Sequence, residues 1–281
     1  MGRHQDVSQT GVILTILRPN AKTESDESTL RLAVLIDADN AQAAVIDGLL
    51  AEIARFGEAT VRRIYGDFTA PTSASWKKVL QRYAIKPVQQ FAYTTGKNAT
   101  DSTLIIDAMD LLYTRKFDGF CLITSDSDFT GLAMRLREEG LTVLGFGEKK
   151  TPEAFRNACH KFVFTEVLRQ SPATEPVESP PVTKKRAKAA QPVPAKAPTE
   201  TKPKFPKQFV LAALEQSVDD TGWALLSTFG SYLTKLQPDF DSRLYGYKKL
   251  SDLVKANASI FATEERQNPG SAHKVVYLRA K

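Results

Sequence analysis

The stretch GFCLITSDSDF at 119–129 determines how the chain is expected to fold. Its residues 120–124 are mostly apolar and have the length and the flanking residues of a buried strand in a parallel sheet. Two carboxylates, Asp126 and Asp128, follow that strand directly. In open α/β sheets, functional groups gather beyond the carboxyl ends of the strands. Two acids at such an edge repel each other, so they need a cation, a proton or solvent.

Residues 31–170 alternate between strand-like and helix-like patterns. The predicted strands lie at 32–36, 60–65, 86–91, 120–124, 141–146 and 161–165. The predicted helices lie at 42–55, 73–84, 129–139 and 152–158, with one more that begins at Asp101. Strands that alternate with helices of about 10–15 residues indicate βαβ units. We therefore predict an α/β domain, a doubly wound parallel sheet of order 3-2-1-4-5 in which the first and fourth strands are neighbours.

The rest of the chain divides into three further segments. Residues 1–30 are polar and without periodicity, which predicts a disordered N-terminal extension. Residues 171–207 hold 9 of the 15 prolines, which predicts an extended, disordered linker. Residues 208–281 carry three helix patterns, the third beginning after Gly246, and two strand-like pieces around 259–264 and 274–279. Three helices and a hairpin predict a small winged-helix domain.

Charge and cysteine content limit the class of protein. The net charge is +6, and residues 171–207 alone carry eight basic and three acidic side chains. The high pI of about 9.2 therefore reflects a basic linker and not a basic globular surface.

No apolar run approaches 18 residues and no signal peptide is recognised, so no membrane association is expected. Cys121 and Cys159 lie in predicted core segments, which fits two reduced thiols in the cytoplasm.

Acidic residues follow several of the predicted strands. Asp37 and Asp39 follow the first strand, and Asp101 opens the helix after the third. With neighbouring first and fourth strands, Asp37, Asp101 and Asp126 are expected to meet in one cleft, with Asp128 nearby. Carboxylates packed so closely need a cation, and an oxygen-rich site suits Mg²⁺ or Mn²⁺. Such an ion can activate water for phosphodiester cleavage.

Other interpretations of these residues stay open. Any single Asp after a strand can be a helix cap. Asn40 can orient water or phosphate or cap the following helix, and Lys97 can contact substrate phosphate or be solvated. Asp39 is expected to point away from Asp37. Asp107 lies on another helix face from Asp101 and is expected to be structural.

Several other chemistries are poorly supported. The three histidines lie in separate regions, and no CxxC or HExxH spacing occurs. No Gly-rich phosphate loop is present either. The sequence therefore gives little support for zinc, for a nucleotide cofactor, or for Ser/His or Cys/His catalysis.

The acidic motifs resemble a known family. IDADN at 36–40, Asp101 ahead of IIDAMDLL, and ITSDSDF at 123–129 together resemble the NYN domain over roughly 31–168. This LabA-like family belongs to the PIN-like metal-dependent ribonucleases. The resemblance implies that the metal-binding acids are Asp37, Asp101, Asp126 and Asp128, with Asn40 as a polar active-site residue. Many NYN domains place Lys-Gly shortly before the middle Asp, whereas this chain has Lys97-Asn98.

The C-terminal segment resembles the OST-HTH domain, also called LOTUS, over roughly 205–280. The matching pieces are GWALLSTFGSYL at 222–233 and PDFDSRLYGYKKLSDLV at 238–254. The resemblance implies a winged helix that binds RNA, single-stranded or structured, or a protein partner. Basic and aromatic side chains can contact phosphate and stack on bases. The RNA-binding candidates here are Tyr247, Lys248 and Lys249 at the start of the third helix, with Arg243 just before it. Alternatively, Tyr247 packs in the core and the lysines are only solvated.

Three functions follow from these observations. The first is a metal-dependent endoribonuclease that uses its C-terminal module to bind RNA. The second is a non-catalytic RNA-binding or regulatory protein with a vestigial acidic pocket. The third is a phosphatase of the haloacid dehalogenase type, because Asp37 and Asp39 have the DxD form; a helix directly after the first strand leaves no room for the usual cap insertion.

Overall fold

Six parallel strands form the central sheet in the order β3-β2-β1-β4-β5-β6. Their bounds are β1 Leu30–Asp37, β2 Gly57–Gly66, β3 Lys86–Gln89, β4 Gly119–Ile123, β5 Thr142–Gly147 and β6 Lys161–Phe164. The first and fourth strands are neighbours, and Ile36 pairs with Ile123 at their carboxyl ends. The predicted doubly wound sheet is confirmed, with the sixth strand added at the far edge.

The coordinates are a computed structural model, which describes residues 29–69, 73–91, 99–169, 205–267 and 274–281. Most of the predicted N-terminal extension and of the predicted linker lies outside these residues. Lys97 and the polar turn around 268–270 also lie outside them. No helix of the described part of the chain is long and apolar enough to cross a membrane.

Helices cover both faces of the sheet. They are α1 Ile46–Ile53, α2 Ala74–Arg82, α3 Ala99–Tyr113, α4 Thr130–Glu138 and α5 Glu153–Ala158. Alternate residues of β1 point to opposite faces, as the pleat requires. Ala33 and Leu35 enter one core with residues of α3, α4 and α5, whereas Val34 and Ile36 enter the other with residues of α1 and α2.

The C-terminal domain packs three helices against a small antiparallel sheet. Its elements are α6 Lys207–Glu215, β7 Ala224–Leu225, α7 Leu226–Leu236, α8 Leu250–Ala256, β8 Phe261–Gln267 and β9 Lys274–Ala280. The sheet order is β7-β9-β8, and the buried core includes Phe229, Leu233 and Leu278. This arrangement of helices and hairpin is that of a winged helix.

The third helix of this domain begins later than the sequence predicted. Gly246 ends a short 3-10 helix in the left-handed conformation, with φ of 89°. The chain is still extended at Lys249, with φ of −133° and ψ of 153°, so α8 begins only at Leu250. Tyr247, Lys248 and Lys249 therefore lie in the segment before the helix and not in its first turn.

The two domains contact each other beside the edge strand β6. The N–H of Phe162 donates to the carbonyl oxygen of Pro238 at 2.9 Å. Arg156 of α5 pairs with the buried carboxylate of Asp239. These contacts join the edge strand β6 to the loop after α7. The loop covers backbone N–H and C=O groups that an edge strand otherwise leaves unpaired.

A substitution at Gly145 in β5 tests how tightly this strand packs against the side chains of Cys159 and Phe162. A Cβ at this position would lie 2.6 Å from Cys159 Sγ and 2.6 Å from the ring of Phe162. We expect Gly145→Ala to lower the free energy of unfolding by about 1–3 kcal/mol, because overpacking forces the neighbours to shift. Gly131→Ala is the control, since a Cβ on this α4 residue meets nothing within 4 Å. It should raise stability by about 0.5–1 kcal/mol. Denaturant titrations that gave both variants the same sign would contradict this packing.

Candidate metal centre

Asp37 joins the ends of the two central strands. Its carboxylate is fully buried at the carboxyl end of β1. One oxygen accepts the N–H of Asp39 at 3.0 Å, and the other accepts the amide of Asn40 and the hydroxyl of Thr124, both at 2.8 Å. Burial raises the pKa of Asp37, and these hydrogen bonds offset part of that rise. Because Thr124 directly follows β4, Asp37 holds the two strand ends together.

Asp126 begins the turn that leads into α4. Its Oδ1 accepts the N–H of Asp128 at 2.9 Å, which caps a 3-10 helix at Ser127–Phe129. The N–H of Asp126 donates to the Thr124 hydroxyl at 3.1 Å. Asp126 is therefore a helix cap, as one interpretation of the sequence expected. A cap uses only one carboxylate oxygen, so the second can still act as a ligand.

Asp101 completes a cluster of three carboxylates. It lies in the first turn of α3 and is half-buried. One oxygen from each of Asp101, Asp126 and Asp128 lies within 4.8 Å of the other two. Burial raises the pKa of Asp101 to about 6, and the negative charges of Asp37, Asp126 and Asp128 add to that rise. Within the described residues, no salt bridge involves Asp101 or Asp126.

The cluster fits a hard divalent cation. Carboxylate oxygens are the ligands that Mg²⁺ and Mn²⁺ prefer. Oxygens bound to one Mg²⁺ lie about 2.1 Å from it, hence roughly 3–4 Å from one another. Separations within 4.8 Å need only small side-chain movements to reach that geometry. A cation would also offset the mutual repulsion, which adds to the effect of burial on the pKa of Asp101.

The structure places the other candidate residues differently. Asn40 donates to Asp37 and does not cap the next helix, because Gln42 occupies the N-cap position. Asp107 lies outside the cluster and accepts hydrogen bonds from Arg63 and Tyr65, which agrees with its expected structural role. Sequence reasoning missed Thr124. It could have been found from its position directly after the fourth strand, which was predicted to lie beside the strand that ends at Asp37.

Of the RNA-binding candidates in the described C-terminal domain, Lys248 and Lys249 are exposed, whereas Arg243 and Tyr247 are half-buried. Tyr247 is half-buried and packs against the core of the C-terminal domain. The guanidinium of Arg243 is engaged by two buried carboxylates, those of Glu52 in α1 and of Asp241. Contact of these residues with RNA stays a prediction.

Metal affinity should fall as the pH drops through about 6. A divalent ion binds the ionised carboxylate of Asp101, whose pKa lies at about 6 in the metal-free protein. Below that pH a proton competes, so the apparent association constant should fall up to tenfold per pH unit. Calorimetric titration with Mn²⁺ at about pH 7.5 and about pH 5 measures this. Equal affinity at both values would show that Asp101 is not a ligand.

Comparison with known proteins identifies both domains. A model of the NYN domain matches residues 31–168, and a model of the OST-HTH/LOTUS domain matches residues 201–272. Their order along the chain is the one that the sequence resemblance implied. No curated protein matches the chain.

Three solved structures are similar to parts of the chain. An uncharacterized protein of Nitrosomonas europaea is 67% identical and covers 34% of this chain and 92% of its own, with a TM-score of 0.28. A protein of unknown function from Vibrio parahaemolyticus is 16% identical, with coverages of 49% and 94% and a TM-score of 0.42. A Chromobacterium violaceum protein is 32% identical, with coverages of 28% and 83% and a TM-score of 0.23.

Proposed function

We propose that this protein, which contains an NYN domain followed by an OST-HTH/LOTUS domain, is a metal-dependent ribonuclease that hydrolyses RNA phosphodiesters. The observation that carries the proposal is the convergence of Asp101, Asp126 and Asp128 beyond the carboxyl ends of the strands. In open α/β sheets this edge is where ligands bind. The OST-HTH/LOTUS domain is the RNA-binding module in this proposal, and a protein partner is the alternative ligand for it.

The three carboxylates are the proposed ligands of Mg²⁺ or Mn²⁺. Such an ion, when bound, lowers the pKa of a water ligand and neutralises charge on the phosphate in the transition state. Asp128 is exposed, so the cluster is open to solvent on its side. An open edge lets a continuous strand pass over the acids, which favours cleavage within the RNA chain.

Asp37 is better suited to position the site than to ligate the ion directly. Both of its oxygens already accept hydrogen bonds, and direct ligation would require it to give up at least one of them. Thr124 donates to Asp37 and accepts from the N–H of Asp126, so these bonds fix the turn that carries Asp126. Ligation by Asp37, which the resemblance implied, remains a prediction.

The buried position of Asp37 also bears on the phosphatase hypothesis. A phosphatase of that type needs the first Asp of DxD as an accessible nucleophile. Here that carboxylate is fully buried and holds three hydrogen bonds. The geometry therefore favours the nuclease over the phosphatase.

The test is cleavage of single-stranded RNA by the purified full chain. We expect cleavage with Mn²⁺ or Mg²⁺ and none after chelation with EDTA. End-labelled substrate distinguishes internal cuts from stepwise loss of terminal nucleotides. RNA binding without metal-dependent cleavage would instead support the non-catalytic RNA-binding protein.

A further inference from the structure

A cleft of about 640 Å³ separates the NYN domain from the OST-HTH/LOTUS domain. The NYN domain contributes the carboxyl end of α1, the residues that follow it, and the first residue of β6. The other domain contributes α7 and the segment before α8. The volume lies within the range of ordinary ligand sites.

The two acids that line this cleft are already neutralised. Glu52 accepts both terminal nitrogens of Arg243, at 2.9 and 3.0 Å, and also pairs with Arg55 at 3.2 Å. Asp241 accepts Arg243 Nη2 at 2.6 Å. Two carboxylates are thus balanced by two guanidinium groups.

The lysines of the cleft have no such balance. They are Lys161, Lys235, Lys248 and Lys249. Over the described residues, no salt bridge joins any of the four to an acid. Burial lowers the pKa of Lys161; the charges of Asp241 and Glu52 oppose that shift, and those of Arg243 and Arg55 add to it. Ammonium groups that face one cavity without a salt-bridge partner create a positive potential that an anion would relieve.

We propose that this interdomain cleft is a composite binding site for the phosphate backbone of RNA, formed by lysines of both domains. The proposal rests on the proposed function for the choice of RNA as the polyanion. Lys248 and Lys249 were RNA-binding candidates from the sequence. The cleft adds Lys235 of the same domain and Lys161 of the NYN domain.

The cleft lies towards the amino ends of the strands, whereas the acidic cluster lies beyond their carboxyl ends. Glu52 lies near the end of α1, just before β2 begins at Gly57, which pairs with Leu30 at the start of β1. Lys161 is the first residue of the short strand β6, but the strand pairing places it level with Val34 of β1, three residues before Asp37. Asp37, by contrast, is the last residue of β1, which has eight residues. An eight-residue strand spans about 26 Å. At about 3.4 Å per stacked nucleotide, RNA that runs from the α1 side of the cleft to the acidic cluster needs roughly 8 nucleotides, and RNA that runs from Lys161 needs fewer.

The experiment measures binding of a fluorescent single-stranded RNA of about 20 nucleotides to the full chain in EDTA, as a function of salt. The variants are Lys248→Gln/Lys249→Gln and, separately, Lys161→Gln. The matched control is Lys77→Gln/Lys78→Gln, an adjacent exposed lysine pair on α2. Thermal unfolding of each variant verifies that it is folded.

We expect the Lys248/Lys249 variant to bind the RNA about tenfold more weakly than wild type. The slope of log association constant against log salt concentration should become shallower by about 1.4, since each lost phosphate contact on a single strand removes about 0.7. Lys161→Gln should reduce the slope by about 0.7. Unchanged slopes in both variants, or an equal loss in the Lys77/Lys78 control, would overturn the proposal and leave the cleft to another occupant such as an acidic peptide. Because EDTA removes catalysis from the assay, failure of the nuclease proposal would not alter this result.

A second measurement uses the predicted separation of the two sites. If the chain cleaves RNA, the cleft variants should slow cleavage of the long RNA and leave that of an RNA of about 4 nucleotides unchanged, because the short one cannot reach both sites. Equal slowing of both lengths would contradict a distant capture site.

Discussion

Asp126→Asn should lower the metal-dependent cleavage rate by about 10²–10³-fold with little change in stability. A metal ion contributes several kcal/mol of charge stabilisation in the transition state, and about 1.4 kcal/mol corresponds to a factor of ten in rate. Asparagine removes the charge that holds the ion. It retains a side-chain oxygen that can accept the N–H of Asp128, so the cap before α4 should survive.

The control for this substitution is Asp110→Asn. Asp110 is exposed on α3, the helix that also carries Asp101, but it lies nine residues further along. Nine residues correspond to a rotation of about 900°, so Asp110 faces the opposite side of the helix. Its substitution should leave the rate within about twofold. The measurement is the initial rate of RNA cleavage at saturating Mn²⁺. Equal rates for wild type and Asp126→Asn would refute the catalytic role of the cluster.

Arg243→Ala should destabilise the contact between the two domains by about 2–4 kcal/mol. Arg243 is the cation that bridges the buried carboxylates of Glu52 and Asp241. Removing one partner of a buried pair leaves an uncompensated charge, which costs about 3–5 kcal/mol when burial is complete. The cost is smaller here because a quarter of the Arg243 side chain is exposed and Arg55 still pairs with Glu52.

Two further variants sharpen the Arg243 test. Arg243→Lys keeps the charge but loses the planar fork that reaches both acids, so it should have an intermediate effect. Arg135→Ala removes an arginine from exposed pairs with Glu138 and Glu139 and should cost less than about 1 kcal/mol. Denaturant unfolding of the full chain reports these differences. Equal effects of Arg243→Ala and Arg135→Ala would mean that the buried pairing contributes no more than a surface one.

The sheet and the acidic cluster were largely predictable from the sequence. Apolar runs such as 120–124 mark buried strands, and the switch point between neighbouring first and fourth strands places the following acids at one edge. The structure confirms that strand order and brings Asp101, Asp126 and Asp128 together. The resemblance to the NYN domain rests on the same residues.

The position of Asp37 relative to Thr124 was harder to predict. Strand register sets which residue of β4 lies opposite the end of β1, and register depends on packing between residues distant in sequence. Two of the three hydrogen bonds to Asp37 come from Asp39 and Asn40 inside IDADN, whereas the bond from Thr124 depends on that register. Lys161 was also hard to predict, because it opens a strand and is typical of a solvated residue until the second domain is placed beside it.

The start of α8 was missed for a local reason. The apolar spacing of Tyr247, Leu250 and Leu253 suits a helix that begins after Gly246, but the extended backbone at Lys249 delays it. Spacing alone does not report backbone dihedrals. In consequence, Lys248 and Lys249 lie in a connecting segment that faces the interdomain cleft.

The most direct test of the metal centre is a crystal structure of the chain soaked in Mn²⁺, with anomalous differences recorded. We predict an anomalous peak bound by carboxylate oxygens of Asp101, Asp126 and Asp128, at about 2.1–2.2 Å from each. The peak should be absent from crystals of Asp126→Asn. A fully soaked wild-type crystal with no peak at these three residues, or with Mn²⁺ bound only elsewhere, would contradict the account.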